Sequence, residues 1–332
     1  FTPIIIDTET GEKHEFGPYP QSLYALSQAN AITDQGLLFI SDGQNGGQIA
    51  IDLTGNIFIP EAAGYTNKPE VSQTSSDGKY WVGYIQAGMF KPLLWTEGTV
   101  AELPMPALNY RNEEFWAGVL ARGISANGEI IYGTSWENDD CGMLYWKNNG
   151  TTVEEPRWVG DDIRRLTPVI VEDWMGEYEY NLVDGCICTA ETTKVSPSGK
   201  WIATTYRTEE PNEGGMSFSI TQTPAFYNTE TETTIIVDEY SDSTGMYVTD
   251  DGIAFIGIGT LGISSGKVYD LNTGTDLGST QDWVYDNYGI IIPAGYINYV
   301  SADGRFVLGT KAESSAGGVN FINWYIAPPV AK

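Results

Sequence analysis

A phrase of the form Ser/Thr, any residue, a turn-former, then Gly recurs six times along the chain, each time leading into an apolar run. It reads ITDQGLLFIS from Ile32, SSDGKYWVG from Ser75, ISANGEIIYG from Ile124, VSPSGKWIAT from Val195, VTDDGIAFIG from Val248 and VSADGRFVLG from Val300. Physically the phrase is a hairpin. A strand runs into a small polar pair, Gly supplies the positive φ that closes the turn, and a second strand leaves it. The fifth residue after that Gly is small in every copy: Ser41, Gly83, Gly133, Thr204, Gly257 and Gly309. Small residues at one fixed place in a strand signal close approach of a neighbouring backbone. An offset that repeats in register marks one repeated unit and not six unrelated hairpins.

Each copy is followed by a strand with a large side chain and usually a second tight turn: AIDLTG from Ala50, LLWTEG from Leu93, LYWKNNG from Leu144, AFYNTET from Ala225 and VYDLNTG from Val268. The sixth, FINWYIA from Phe321, runs towards the C-terminus instead. Units of about four strands, repeating every 40 to 50 residues or more, are the signature of β-propeller blades. The sequence therefore predicts an all-β, six-bladed β-propeller of four-stranded blades. It forms a single domain over residues 1–332, with blade hairpins starting near 32, 74, 124, 195, 248 and 300. Gaps between blades widen outward, so Trp95, Trp146, Tyr227, Tyr269 and Trp324 on the third strands are expected to fill the wedges. The last unit lacks a fourth strand and the chain opens with an unpaired strand, so an N-terminal strand is expected to complete the last blade and remove two sheet edges. Either Ile4 to Asp7 or the EKHEF segment after it could be that strand.

The phrases ISANGEIIYG, with Trp146 after it, and VSADGRFVLG, with Trp324 after it, resemble the HAF-type repeats of bacterial extracellular proteins. Those show a Ser-x-Asp-Gly hairpin, a strand ending in Gly, and a later Phe/Trp strand. The resemblance spans all six units, with Ser41 and Thr204 in place of the strand Gly and Ile51 at the aromatic place of the first unit. It implies a secreted or surface propeller of a Gram-negative bacterium, in the periplasm or at the cell surface. A leader or lipid anchor is expected upstream of Phe1. The resemblance implies no reaction, since that class is defined by its scaffold.

Charge limits the partners. Asp and Glu number 44 against 17 Lys and Arg, a formal charge of −27, which repels phosphate backbones and anionic membranes. No nucleic-acid partner is expected, and no apolar run is long enough to span a bilayer. Of the three cysteines, Cys186 and Cys188 flank Ile187 on one strand face and either could meet Cys141, or all three could be thiols. The single His14 and the absence of C-x-x-C argue against zinc. Gly257, Gly259 and Gly262 spell G-x-G-x-x-G, and Gly262, Ser264 and Gly266 spell G-x-S-x-G. Both lie between strands where a helix would be required, so neither is read as a site. No cofactor is expected; Ca²⁺ held by loop carboxylates is the one candidate, with no fixed ligand spacing behind it.

The turns after the first and third strands of each unit are tight, so the long loops gather at the other end of the strands. Loops on a rigid scaffold carry function, and this end is the expected functional surface. The longest insertions run from Thr134 to Gly142, Pro156 to Tyr180, Tyr206 to Gln222 and Ser279 to Gly289. They and the stretch before the third hairpin hold tryptophans the repeat does not require, Trp116, Trp136, Trp158, Trp174 and Trp283. Beside these lie Glu137, Asp139, Asp140, Asp161, Asp162, Arg164, Arg165 and Asp173. Flat aromatics among carboxylates and arginines suit a neutral sugar, whose ring faces stack and whose hydroxyls seek charged partners. The same residues could instead cap the blade ends as small satellite cores. The expected function is a non-catalytic binding or scaffold protein, a monomer, engaging glycan or another surface protein. The alternative is a carbohydrate-active hydrolase or lyase using two loop carboxylates roughly 5 to 10 Å apart.

Overall fold

The computed structural model describes residues 4–7, 10–16, 26–42, 48–136, 142–173, 176–188, 194–211, 218–259, 265–315 and 318–327. The first two strands, β1 (Ile4–Ile6) and β2 (Lys13–Glu15), pair with each other. Then follow six antiparallel sheets. The first comprises β3 (Leu26–Ile32), β4 (Leu38–Asp42), β5 (Gln48–Ile51) and β6 (Ile57–Phe58). The second is β7 (Glu70–Thr74), β8 (Tyr80–Ala87), β9 (Met89–Thr96) and β10 (Thr99–Glu102), and the third β11 (Val119–Ile124), β12 (Ile130–Ser135), β13 (Met143–Lys147) and β14 (Arg157–Trp158). The fourth sheet is larger, with β15 (Arg165–Asp173), β16 (Gly176–Cys188), β17 (Lys194–Val195), β18 (Trp201–Pro211), β19 (Phe218–Asn228) and β20 (Thr233–Ile236). The fifth holds β21 (Ser243–Val248), β22 (Ile253–Ile258), β23 (Ser265–Asp270) and β24 (Thr275–Ser279), and is followed by α1 (Thr280–Tyr288). The sixth shows β25 (Tyr296–Val300), β26 (Val307–Ser315) and β27 (Gly318–Ile326). This is the expected six-bladed β-propeller.

The six hairpin turns are stitched to one another. Asp34 N donates to Ser76 O at 3.0 Å, Ser76 N to Ala126 O at 3.0 Å, and Asn127 N to Pro197 O at 3.4 Å. Ser198 N donates to the Asp250 carboxylate at 3.0 Å, and the Tyr247 hydroxyl to Val300 O at 2.8 Å. At the last join the Tyr299 hydroxyl is pushed up by burial first and then by the charge of Asp34, on the first turn. First strands therefore line the axis, and their turns crowd one end of it, here termed the turn face.

Two kinds of turn occur. In the Ser copies the Ser Oγ accepts from the N–H five residues on, as at Tyr80, Ile130, Trp201 and Phe306. In the Thr copies Oγ1 accepts from the fourth, Leu37 or Ile253. The Thr turns are one residue shorter, which corrects the common register read from the turn glycine. Among the described residues the first strands of five blades, all but the fourth, also carry a bulge, and the residues across it are Gly83, Gly133 and Gly309 in Ser copies but Ile40 and Ile256 in Thr copies. The small residues Ser41 and Gly257 thus fall one place beyond. In the Ser copies the glycine is required by crowding, since a Cβ on Gly83 would overlap Glu70 O and one on Gly309 would enter the Trp324 ring.

Wedge packing follows expectation, with Trp95, Trp146, Tyr227 and Tyr269 buried and Trp324 partly so. Closure differs. Among the described residues β1 pairs with β2 and not with the sixth sheet, which holds three strands. The N-terminal hairpin instead buries Ile5 and Phe16 against Leu38, Ile40, Ile49 and Ile51, the face of the first sheet opposite the one that packs on the second. Three insertions are not loops. Residues 165–188 form the β15–β16 hairpin, because Val169 to Val171 continue a β-branched run, and β18 and β19 extend to leave only 212–217 beyond the described residues. Residues 280–288 form α1, capped by Ser279, whose side chain accepts from Asp282 N, and ended by left-handed Gly289.

Candidate functional site

At the end of the strands opposite the turn face, the second and third blades present a cluster of rings around one guanidinium. Phe90, at the start of β9, bonds through its N–H to Ala117 O at 2.8 Å, and Trp136 N bonds to Gly118 O at 2.9 Å. The segment before β11 is thus clamped between the two blades. Gly118, at φ 96°, is required there, since a side chain would run into the Phe90 backbone. The Phe90 ring meets Trp136 edge-on at 5.7 Å and Tyr84 at 5.7 Å. Arg122 stands at the bulge of β11, a device that re-aims a side chain. Its guanidinium lies 5.6 Å from the Trp136 ring and 5.9 Å from that of Tyr84. Among the described residues it makes no ion pair. Burial first, then the Glu70 carboxylate, pushes the Tyr84 hydroxyl well up. Trp136 is 51% exposed and Trp116, next to the clamp, 61%.

The other expected site residues divide. Trp158 is in β14 of the third blade, partly buried with its ring edge-on to Tyr110 at 5.4 Å, so it packs and does not line a mouth. Trp283 sits on α1 against Phe255 at 5.0 Å and belongs to the core between the fifth and sixth blades. Arg164 pairs with Asp161 at 2.8 Å, lies 5.0 Å over the Tyr110 ring and donates to Tyr110 O. Asp162 accepts from Thr234 N at 2.8 Å, tying the third blade's exit to β20, while exposed Arg165 opens β15. Glu137, Asp139, Asp140, Cys141 and Trp174 lie outside the described residues, as do Gly262 and Ser264; the side chain of Asp173 is likewise not described. Cys186 is disulfide-bonded, and Cys188 is buried with its sulfur 3.3 Å from that of Cys186.

Three members of the cluster carry no signal in the sequence, because Tyr84, Phe90 and Arg122 sit on blade strands, where aromatic and long side chains are common. Lys194 on β17 carries none either; burial pushes its pKa down. Among carboxyls, Asp34 is raised, by burial first and then by Asp77, but both stand on the turn face. Among the described residues no group of three or more His, Cys, Asp or Glu is placed to hold a metal, and no helix is long and apolar enough to cross a membrane.

No protein-family model and no curated protein matches the chain. Among solved structures it is similar to the β-propeller domain of Cps50 (Swd1) from Myceliophteria thermophila, at 10% identity and a TM-score of 0.35 over 97% of this chain and 99% of that one. It is also similar to oligogalacturonate lyase from Vibrio parahaemolyticus, at 12% identity and a TM-score of 0.43, covering 98% and 96%. A third is TolB from Acinetobacter baumannii, at 13% identity and a TM-score of 0.38, covering 83% of this chain and 58% of that one. At such identities the likeness concerns the fold and extends to no activity.

Proposed function

We propose that the chain is a non-catalytic, extracytoplasmic binding or scaffold propeller that engages a glycan or another surface protein through the face bearing its long loops. The observation that supports this is the ring cluster itself: the largely exposed indole of Trp136 with the Arg122 guanidinium beside it, and exposed Trp116 next to a segment held by backbone bonds between two blades. Exposed indoles fixed in orientation stack on sugar rings or anchor a partner with little loss of side-chain freedom. The bulge and the Gly118 clamp fix the group before any ligand arrives, which lowers the entropy lost on binding.

A glycan array followed by titration calorimetry tests this. Trp116→Ala and Trp136→Ala should each weaken the captured ligand by about 1 to 3 kcal/mol. Trp136→Ala also loses its contacts with Phe90 and Arg122, a cost of about 1 to 2 kcal/mol in stability. Unaltered binding in both folded variants would refute the assignment.

A further inference from the structure

The joins between blades repeat one seat on the turn face, and the chain fills it differently each time. Between the second and third blades Tyr80, the residue that follows the turn, lies over Gly128; between the third and fourth, Ile130 lies over Gly199. Between the fourth and fifth, Trp201 packs with Val237 and Leu271. Between the fifth and sixth the post-turn residue is Ile253, and α1 packs beside it: Trp283 packs on Phe255, and the Tyr288 hydroxyl reaches Gly304 O at 2.7 Å. Between the first and second blades the post-turn residue is Leu37, and among the described residues no helix covers it. There a cavity of about 500 Å³ remains, within the range of small-molecule sites.

Its walls are mostly apolar, and Gln35 is the one neutral polar side chain among the lining residues described. Trp81 and Trp95 line it, but both indole N–H groups are committed, Trp81 to Gly78 O at 2.9 Å and Trp95 to Glu61 O at 3.0 Å. Phe58, Ile59 and Pro60 close the outer side, with Phe58 and Ile59 half or more exposed at the rim. Among the described residues the charged lining groups are Asp52 and Glu61, with no lysine or arginine. Asp52 is fixed: Oδ1 accepts from Thr54 N, Thr54 Oγ1 and Asn56 N, and Oδ2 from Asn56 Nδ2, all within 2.7 to 2.9 Å. These bonds, that of Thr54 first, hold its carboxyl down to about 2, so it is ionised at any neutral pH.

We infer that this cavity is a binding site for a cationic aromatic small molecule, its ring between the two indoles and its charge towards Asp52. An anion of the same shape would meet two carboxylates and no cation. The site lies on the opposite end of the blades from the ring cluster and does not depend on what that face binds.

Tryptamine, indole and indole-3-acetate, followed by the indole Nε1–H NMR signals of Trp81 and Trp95, provide the test. Tryptamine should shift both signals saturably and bind about tenfold or more tightly than indole-3-acetate. Leu37→Tyr, which supplies the ring that Tyr80 supplies in the next join, should weaken tryptamine about tenfold or more. Asp52→Asn should shrink the preference for tryptamine over indole-3-acetate to below roughly threefold, and decides the matter if Leu37→Tyr fails to fold. No saturable shift at Trp81 and Trp95, an anion bound as tightly as the amine, or an Asp52→Asn variant with its preference intact would overturn the assignment. So would a folded Leu37→Tyr with unchanged affinity.

Discussion

Two glycines of the repeat should respond to the same substitution in very different degree. Gly83 lies across the bulge of β7, and a Cβ there would sit inside the contact distance of Glu70 O, with Glu70 C and Val71 Cα also within 2.9 Å. Those atoms are backbone, so relief needs β7 and β8 to separate locally by roughly 1 Å, enough to break a ladder hydrogen bond near 2.9 Å. A lost buried bond costs about 1 to 3 kcal/mol and the overpacking about as much again, so Gly83→Ala should lose about 3 to 5 kcal/mol. Gly304, at φ 67° with nothing within 4 Å of its Cβ position, has only the left-handed backbone to object. Gly304→Ala should lose about 1 kcal/mol. Urea unfolding of both variants, with m-values compared to confirm one cooperative transition, reads the difference directly. If Gly304→Ala proves as costly as Gly83→Ala, steric contact across the bulge is not what selects glycine there.

Trp146→Phe removes the indole N–H that bonds Pro104 O at 2.7 Å and part of the ring covering Gly133, and should cost about 2 to 4 kcal/mol by the same unfolding assay. Phe16→Ala, which empties the contact between the N-terminal hairpin and the first blade, should cost about 3 kcal/mol; an unchanged melting temperature would mean that the hairpin adds nothing to the ring. Asp34 titrates above its unfolded value, so the folded chain holds that proton more tightly and stability falls as pH rises through the window above 3.8. Asp34→Asn should therefore melt higher than wild type at pH 7 and equally at pH about 3, by calorimetry at both values. Asp52 behaves oppositely: its stabilising contribution is present above its unfolded value and is lost as pH falls towards about 2, and its carboxyl NMR signal should titrate there.

The propeller was legible because a tight turn is a local event: polar pair, glycine and flanking apolar strands are contiguous, and six copies remove the ambiguity of one. What depends on pairing was not legible. The bulges that aim Arg122, and the one-residue difference between Thr and Ser turns, emerge only when strands are set side by side. Helix α1 has a readable mark, Ser279 three residues before Asp282 with Gly289 at the end, but it is short and lies among strands. Of the tryptophans outside the repeat, exposure separates Trp116 and Trp136 from Trp158 and Trp283, which complete blade and helix packing. Composition cannot make that separation, since an indole fills a wedge and faces a ligand with the same surface.

The two turn lengths also constrain how such a chain can change. Aligned on the turn glycine, the second residue after it faces the following blade in a Ser copy, as Tyr80 and Ile130 do, but the preceding side in a Thr copy, as Leu38 and Ala254 do. Unequal crossover between a Thr copy and a Ser copy at that glycine would turn the whole second strand inside out. Exchange within the Ser class, the second, third, fourth and sixth units, would keep every side chain on its own side. The first and fifth units form a separate lineage for recombination, and these are the two whose following joins are closed by a helix or left open as a cavity.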